Sequence, residues 1–320
     1  MENRPRIVFF GTPEFAVASL DAITKAGVPV AGVVTASDKP AGRGLNLSHS
    51  AVKQYALSHN LPFLQPEKLK DPEFLLALTE LRPDIQVVVA FRMLPEEVWN
   101  LPPMGTFNLH ASLLPHYRGA APINRVIMNG EEVTGVTTFF IDEKIDTGAI
   151  LLQESLKIGP HETAGELHDR LMMLGAELVV KTVQAICDGL VESTPQEELI
   201  LQSGTLMSAP KLQKRDAIIQ WDRDTGSVYN QIRGLTPFPG AYSKIVLKDG
   251  STLPLKIGSV RIAADLAPAQ VVPGTTFTDR KQFLRMNTRD GMIEILELQP
   301  ASKKMMNIHD FLNGFGRQLA

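Results

Sequence analysis

Apolar residues follow two rhythms along the first third of this chain: short unbroken runs, and repeats every three or four positions. Residues 6-RIVFF-10, 30-VAGVVT-35, 84-DIQVVVA-90 and 105-GTFNLH-110 are runs bounded by turn or polar signals, as expected of strands buried on both faces. Between them, 13-PEFAVASLDAITKAG-27 sets Phe15, Ala18 or Ser19, Ala22 and Ile23 near helical spacing and stops at Gly27, and stretches near 50–59 and 72–80 also read as helices. The alternation predicts an α/β fold with a mostly parallel sheet. Two runs at 133–141 and 149–155 follow with no helix between them, which predicts an antiparallel pair on one edge.

A long helix closes this part. Thr163 with Glu166 has the spacing of a capping box, and Leu167, Leu171, Leu174, Leu178, Val179, Val183 and Ile186 form one apolar stripe. His168 falls off the stripe and is expected in solvent, whereas Cys187 is expected as a buried, inert thiol. After Gly189 the pattern lapses into polar, proline-punctuated sequence, a linker over 190–208. Short β-rich segments at 242–247, 253–262 and 292–300, with helices near 225–234 and 307–314, then suit a small barrel or sandwich. At 320 residues two domains are expected, 1–189 and 209–320.

Composition narrows the class. Apolar content of 44 % and charged content of 21 % are ordinary for a soluble globular protein. No stretch approaches the roughly 20 apolar residues of a membrane helix, and the start lacks a secretory run. The single cysteine forbids an intrachain disulfide and suits a reducing, cytoplasmic setting. The histidines and cysteine show no metal-ligand spacing. Charge is uneven: from Lys211 onward 16 basic residues stand against 10 acidic, while the preceding part has 16 against 25. A basic appendage on an acidic body suits a partner that carries phosphates, although the excess could equally be solubilising surface.

Candidate chemistry sits at the end of the run 105–110. Residues two apart in a strand share a face, so Asn108 and His110 should stand side by side with Leu109 turned away. A carboxylate is available in 141-IDEKIDTGAI-150, from Asp146 or its rival Asp142. An Asn amide can hydrogen-bond a carbonyl oxygen, a histidine cation can stabilise an oxyanion, and a neighbouring carboxylate can help manage protons. The trio suits acyl transfer to an amine, although residues of these types also serve as plain structural hydrogen bonders. The first turn, Gly11-Thr12-Pro13-Glu14-Phe15, has no phosphate-loop pattern, since Pro13 removes a donor and Glu14 adds negative charge where a pyrophosphate would sit. No G-x-S-x-G elbow supports covalent hydrolysis.

The string 108-NLHASLLPHYRGAAPIN-124, followed by 142-DEKIDTGAIL-151, resembles the signature of the 10-formyltetrahydrofolate-dependent formyltransferases, and the likeness spans essentially the whole chain. The loop 37-SDKPAGRG-44, the Arg118-Gly-Ala-Ala-Pro-Ile variant and the basic C-terminal part resemble the branch whose acceptor is initiator methionyl-tRNA. The resemblance implies a Rossmann-like N-terminal domain and an OB-like C-terminal barrel that binds tRNA. It puts Asn108, His110 and Asp146 on the three catalytic positions and Ser112, Leu113, Leu114 and Pro115 on a folate-contacting turn. Phe91 and Leu94 fall in the segment that lines the pterin pocket, and Lys39 and Arg43 in the loop that meets tRNA. That loop, taken over 38–50, is expected to hold no regular structure, because of Pro40, Gly42 and Gly44. Its Leu45-Asn46-Leu47 stands where many relatives carry further basic residues. A monomeric cytoplasmic enzyme with 10-formyltetrahydrofolate as co-substrate and no metal is implied. A relative that formylates an amino sugar or a purine precursor is the alternative.

Overall fold

The computed structural model describes residues 5–41, 46–203, 205–264 and 272–319. The chain divides into two compact units, one of Met1–Gly119, Thr134–Leu156 and His168–Ser208, the other of Ala120–Val133, Lys157–Leu167 and Ala209–Ala320.

The first unit is built on strands β1 (Ile7–Gly11), β2 (Val30–Val34), β5 (Phe63–Leu64), β6 (Ile85–Val89), β7 (Thr106–His110), β8 (Val133–Phe140) and β9 (Ile150–Lys157). They form one sheet in the order β5-β2-β1-β6-β7-β8-β9. The first five are parallel and β8 runs antiparallel to β7. Every residue of β1 and β6 is buried, which is why these strands read as apolar runs, interrupted in β6 only by the buried Gln86, and not as alternation. Helices α1 (Glu14–Lys25), α2 (Ala51–Ser58), α3 (Pro72–Glu80) and α4 (Glu96–Trp99) fill the crossovers. Ser50 and Asp71 cap α2 and α3 by accepting from Lys53 N and Glu73 N, satisfying donors the first turn leaves open.

Helix α6 (Ala164–Cys187) begins at the expected capping box, with Glu166 Oε2 accepting from Thr163 N at 2.8 Å. Leu171, Leu178, Val179, Val183 and Ile186 are buried. Leu109 packs so closely on this helix that a Cβ on Gly175 would come within 2.7 Å of its Cδ2. Three expectations need correction. Cys187 is exposed, because the stripe ends on Ile186 and the next position turns outward. His168 is half-buried, edge-on to Phe15 at 5.2 Å. The 38–50 loop contains a short ladder, β3 (Lys39–Ala41) against β4 (Asn46–Ser48), with Pro40 inside β3 opposite Leu47.

The second unit holds α5 (Pro122–Met128), α8 (Thr225–Leu235) and α9 (Ile308–Phe315) with two four-stranded antiparallel sheets. One joins β10 (Ala241–Val246), β11 (Thr252–Ile257), β16 (Glu297–Pro300) and β17 (Met306–Asn307); the other joins β12 (Val260–Ile262), β15 (Met292–Ile295), β14 (Leu284–Asn287) and β13 (Thr276–Thr278). The runs 253–262 and 292–300 are therefore not single strands. Each breaks, near Gly258 and at Leu296, and sends its halves to different sheets, so among the described residues the pairings do not close a barrel. Val228, Ile232, Leu235, Ile245, Leu255, Ile293 and Phe311 form its core. Among the described residues no helix is long and apolar enough to cross a membrane.

Candidate active site

Strand β7 ends the parallel part of the sheet, where the direction of neighbouring strands reverses. Asn108 lies opposite Phe139 and His110 opposite Thr137 on β8, so the period-two expectation places both polar side chains on the face that Leu109 leaves. The Asn108 amide oxygen is buried with no hydrogen-bond partner among the described residues. Buried polar atoms are normally paired, so this amide has an end open to something that comes from outside.

His110 is 7 % exposed and its two ring nitrogens face different groups. Nε2 lies 2.9 Å from the Tyr117 carbonyl oxygen, which can only accept, so Nε2 carries a hydrogen. Nδ1 lies 3.8 Å from Asp146 Oδ2, too far for a direct hydrogen bond and close enough for the carboxylate to stabilise an imidazolium. In the neutral ring Nδ1 therefore has its lone pair free to take a proton. The same Oδ2 accepts from Gly119 N at 2.8 Å, which fixes the carboxylate. The rival Asp142 is spent locally, accepting from Lys144 N and from Thr147 Oγ1 at 2.8 and 2.9 Å. Tyr117 and Asp146 both hold left-handed backbone, at φ 60° and 57°, a conformation that costs a non-glycine residue on the order of 1–3 kcal/mol and collects at functional sites.

The 112–115 turn is pinned from within. Ser112 Oγ donates to His116 O, Thr137 Oγ1 donates to Ser112 O, and Leu114 N donates to Thr137 Oγ1. Gln153 Nε2 donates to both Leu114 O and Thr137 Oγ1. The hydroxyl of Ser112 and both backbone groups of Leu114 are thus committed, while Leu113 remains half-buried and Pro115 is buried. Phe91 is half-buried, edge-on to Phe10 at 5.7 Å, and packs against the core cluster to which buried Leu94 belongs. Arg43 lies outside the described residues, and Lys39 opens β3. Among the described residues no cluster of His, Cys, Asp and Glu could hold a metal ion.

Sequence reasoning passed over three residues here: Thr137, Gln153 and Gln196. The last belongs to the stretch expected as a linker. Thr194 exchanges two backbone hydrogen bonds with Ile150, each 2.8 Å, and α7 (Gln196–Ser203) follows. Gln196 is fully buried; its Nε2 donates to the carbonyls of Asp146 at 3.0 Å and Gly148 at 2.8 Å, and its Oε1 accepts from Arg118 Nε at 3.0 Å and Nη2. Pro195 before it and Glu197 and Glu198 after it were a legible helix start, but nothing in the string tells which carbonyls its amide reaches.

The family described as "Formyl transferase" matches residues 5–183, and "Formyl transferase, C-terminal domain" matches 211–316. A protein of Azobacteroides pseudotrichonymphae named methionyl-tRNA formyltransferase is 50 % identical over 313 residues, 98 % of this chain and 96 % of its own length. One of the same name from Parabacteroides distasonis is 50 % identical over 318 residues, covering 98 % and 97 %. Among solved structures, WlaRD, a sugar 3N-formyl transferase studied with dTDP and 5-N-formyl-THF, matches with TM-score 0.65 at 20 % identity, covering 94 % of this chain and all of that one. HypX from Aquifex aeolicus, in complex with tetrahydrofolic acid, matches with TM-score 0.65 at 18 % identity over 98 % of this chain, which spans about half that protein, 48 %. At these identities the two structures speak for the fold alone.

Proposed function

The chain belongs to the formyl transferase family, and on that premise we propose that it transfers the formyl group of 10-formyltetrahydrofolate to the α-amino group of methionine on initiator tRNA. Relatives named for that activity, about half identical over nearly the whole length, carry the reading of the acceptor. The observation that carries the chemistry is the opposition of a free His110 Nδ1 to the Asp146 carboxylate, beside an Asn108 amide with a buried, unpaired end.

In this reading the acceptor amine attacks the formyl carbon. The Asn108 amide can rotate to donate to the carbonyl oxygen as negative charge grows there, and a donor so placed is typically worth about 10²–10³ in rate. His110 takes the proton shed by the attacking nitrogen at Nδ1. The resulting imidazolium is held by Asp146 on one side and by the Tyr117 carbonyl on the other. Returning that proton to the departing folate nitrogen closes the cycle with no net change on the protein. For the folate, Leu113 and Phe91 offer apolar surface, Leu94 belongs to the core on which Phe91 rests, and Ser112, Leu114 and Pro115 shape the turn, with the polar groups of Ser112 and Leu114 serving the turn itself.

The remaining parts of the proposal concern organisation and tRNA. Residues 1–189 carry the three catalytic side chains, and 190–208, which add Gln196 to that part, lead on to an OB-like part at 209–320 that binds tRNA. Its basic excess and its antiparallel sheets support that role. Lys39 and Arg43 contribute cationic contacts, and the enzyme acts as a cytoplasmic monomer. The deciding experiment is incorporation of labelled formyl into charged initiator tRNA, with charged elongator tRNA and an amino sugar nucleotide alongside. Labelling of the sugar in preference to the tRNA would overturn the acceptor, and no labelling of any amine would overturn the activity.

A further inference from the structure

Asp146 holds a backbone conformation that a non-glycine residue adopts only when its surroundings enforce it. Gly119 N restrains its carboxylate and Asp142 braces Thr147, but among the described residues no hydrogen bond from within 142–148 reaches the Asp146 carbonyl. One from Gln196 does. Its amide has two N–H groups and two lone pairs, and all four are used inside the protein: two carbonyls, of Asp146 and Gly148, and two guanidinium N–H groups of Arg118. The orientation is unambiguous, since the flipped amide would set oxygen against two carbonyls and NH2 against a cation. The side chain is fully buried, so without it the carbonyls of Asp146 and Gly148 lose the donor the protein gives them.

We infer that Gln196 is a positioning residue for formyl transfer: it clamps the 146–148 backbone so that the Asp146 carboxylate faces His110 Nδ1, and it ties that loop to Arg118 in the 108–124 signature. The inference rests on the reading that Asp146 takes part in the reaction. Gln196 itself touches neither His110 nor any reacting atom, so it acts through Asp146 alone. A displacement near 1 Å of a catalytic group can cost about a hundredfold in rate.

The test is a double-mutant cycle on kcat with the full-length enzyme, using Gln196→Met and Asp146→Asn, with KM for both substrates and Tm recorded. Gln196→Met keeps the length of the side chain and removes every bond. It is expected to lower kcat by about ten- to a hundredfold, with both KM values within about twofold and the protein folded. In the Asp146→Asn background it should cost less than about twofold more. Gln196→Glu provides a second arm if the Met variant does not fold. It keeps the acceptor for Arg118 and replaces the two donations with an oxygen set against the Asp146 and Gly148 carbonyls, and it should show at least the same loss of kcat. Additive losses in the cycle, a rise in KM with kcat unchanged, or normal turnover in a folded Gln196→Glu would each overturn the inference. Loss of activity in Asp146→Asn with none in the Gln196 variants would overturn it alone, whereas full activity in Asp146→Asn would overturn the role of Asp146 and this inference with it.

Discussion

His110 turns Nδ1 toward Asp146 Oδ2 across 3.8 Å while Nε2 is committed to the Tyr117 carbonyl at 2.9 Å. The ring thus has one nitrogen spent on the scaffold and one facing a carboxylate. If Nδ1 receives the proton, His110→Ala and Asp146→Asn should each lower kcat by at least about a hundredfold, on the usual scale of general acid–base help, with tRNA affinity little changed. Asn108→Ala should cost about 10²–10³ in kcat yet leave Tm nearly unaltered, because the amide oxygen it removes makes no bond within the protein. Steady-state kinetics beside thermal melts check both; turnover close to the parent's in the His110 and Asp146 variants would remove them from the mechanism.

Gly148 follows the site loop at a close approach of backbone to backbone. A Cβ there would lie 1.7 Å from Phe140 O and 2.9 Å from Phe140 C, atoms at the end of β8 that cannot swing aside as a side chain would. Gly148→Ala should therefore destabilise the protein by at least about 1–3 kcal/mol, the usual cost of forcing atoms into packed space, and lower kcat as well, since the loop that must yield carries Asp146. Urea unfolding with an activity assay tests this. A variant with parental stability and turnover would mean that the loop accommodates the methyl group freely.

Asp38 anchors the base of the 38–50 loop. Its carboxyl is held well below the usual carboxylate range, first by the hydrogen bond from Gln65 Nε2 at 2.9 Å and then by the Lys53 ammonium, with His49 adding to the effect. A folded-state value below the unfolded one means that the stabilisation is present above the ordinary value of 3.8 and fades as pH falls through and below it. Asp38→Asn should accordingly be less stable than the parent at pH 7 and approach it as pH drops below about 3.8. Denaturant midpoints at pH 7 and pH 3 give the comparison, and a gap that widens toward acid would reverse the assignment.

Residues from Lys211 onward carry 16 basic against 10 acidic side chains. Binding to phosphates releases condensed counterions, so affinity for tRNA should fall steeply between about 50 and 200 mM salt. Filter binding or fluorescence titration across that range measures the slope. A flat response would argue that contacts other than phosphate pairing hold the acceptor.

Periodicity alone determined much of this protein. Strands buried on both faces are predominantly apolar, so 6–10 and 84–90 announced the sheet even with Gln86 in the second; the two-residue repeat put Asn108 and His110 on one face; and Thr163 with Glu166 marked the start of the long helix. These are local rules, each satisfied within a few residues of sequence. What the tertiary structure decided lies between residues far apart. Asp142 and Asp146 share one short loop and one chemistry, and only the fold turns Asp146 toward His110 while Asp142 braces Thr147. Gln196 reaches Arg118 across 78 positions, and Thr137 pins a turn 23 residues before it. The run 253–262 breaks between two sheets because each half finds a different partner strand. Hydrogen bonds of that kind have no period, and their partners are chosen by packing that no single stretch of sequence contains.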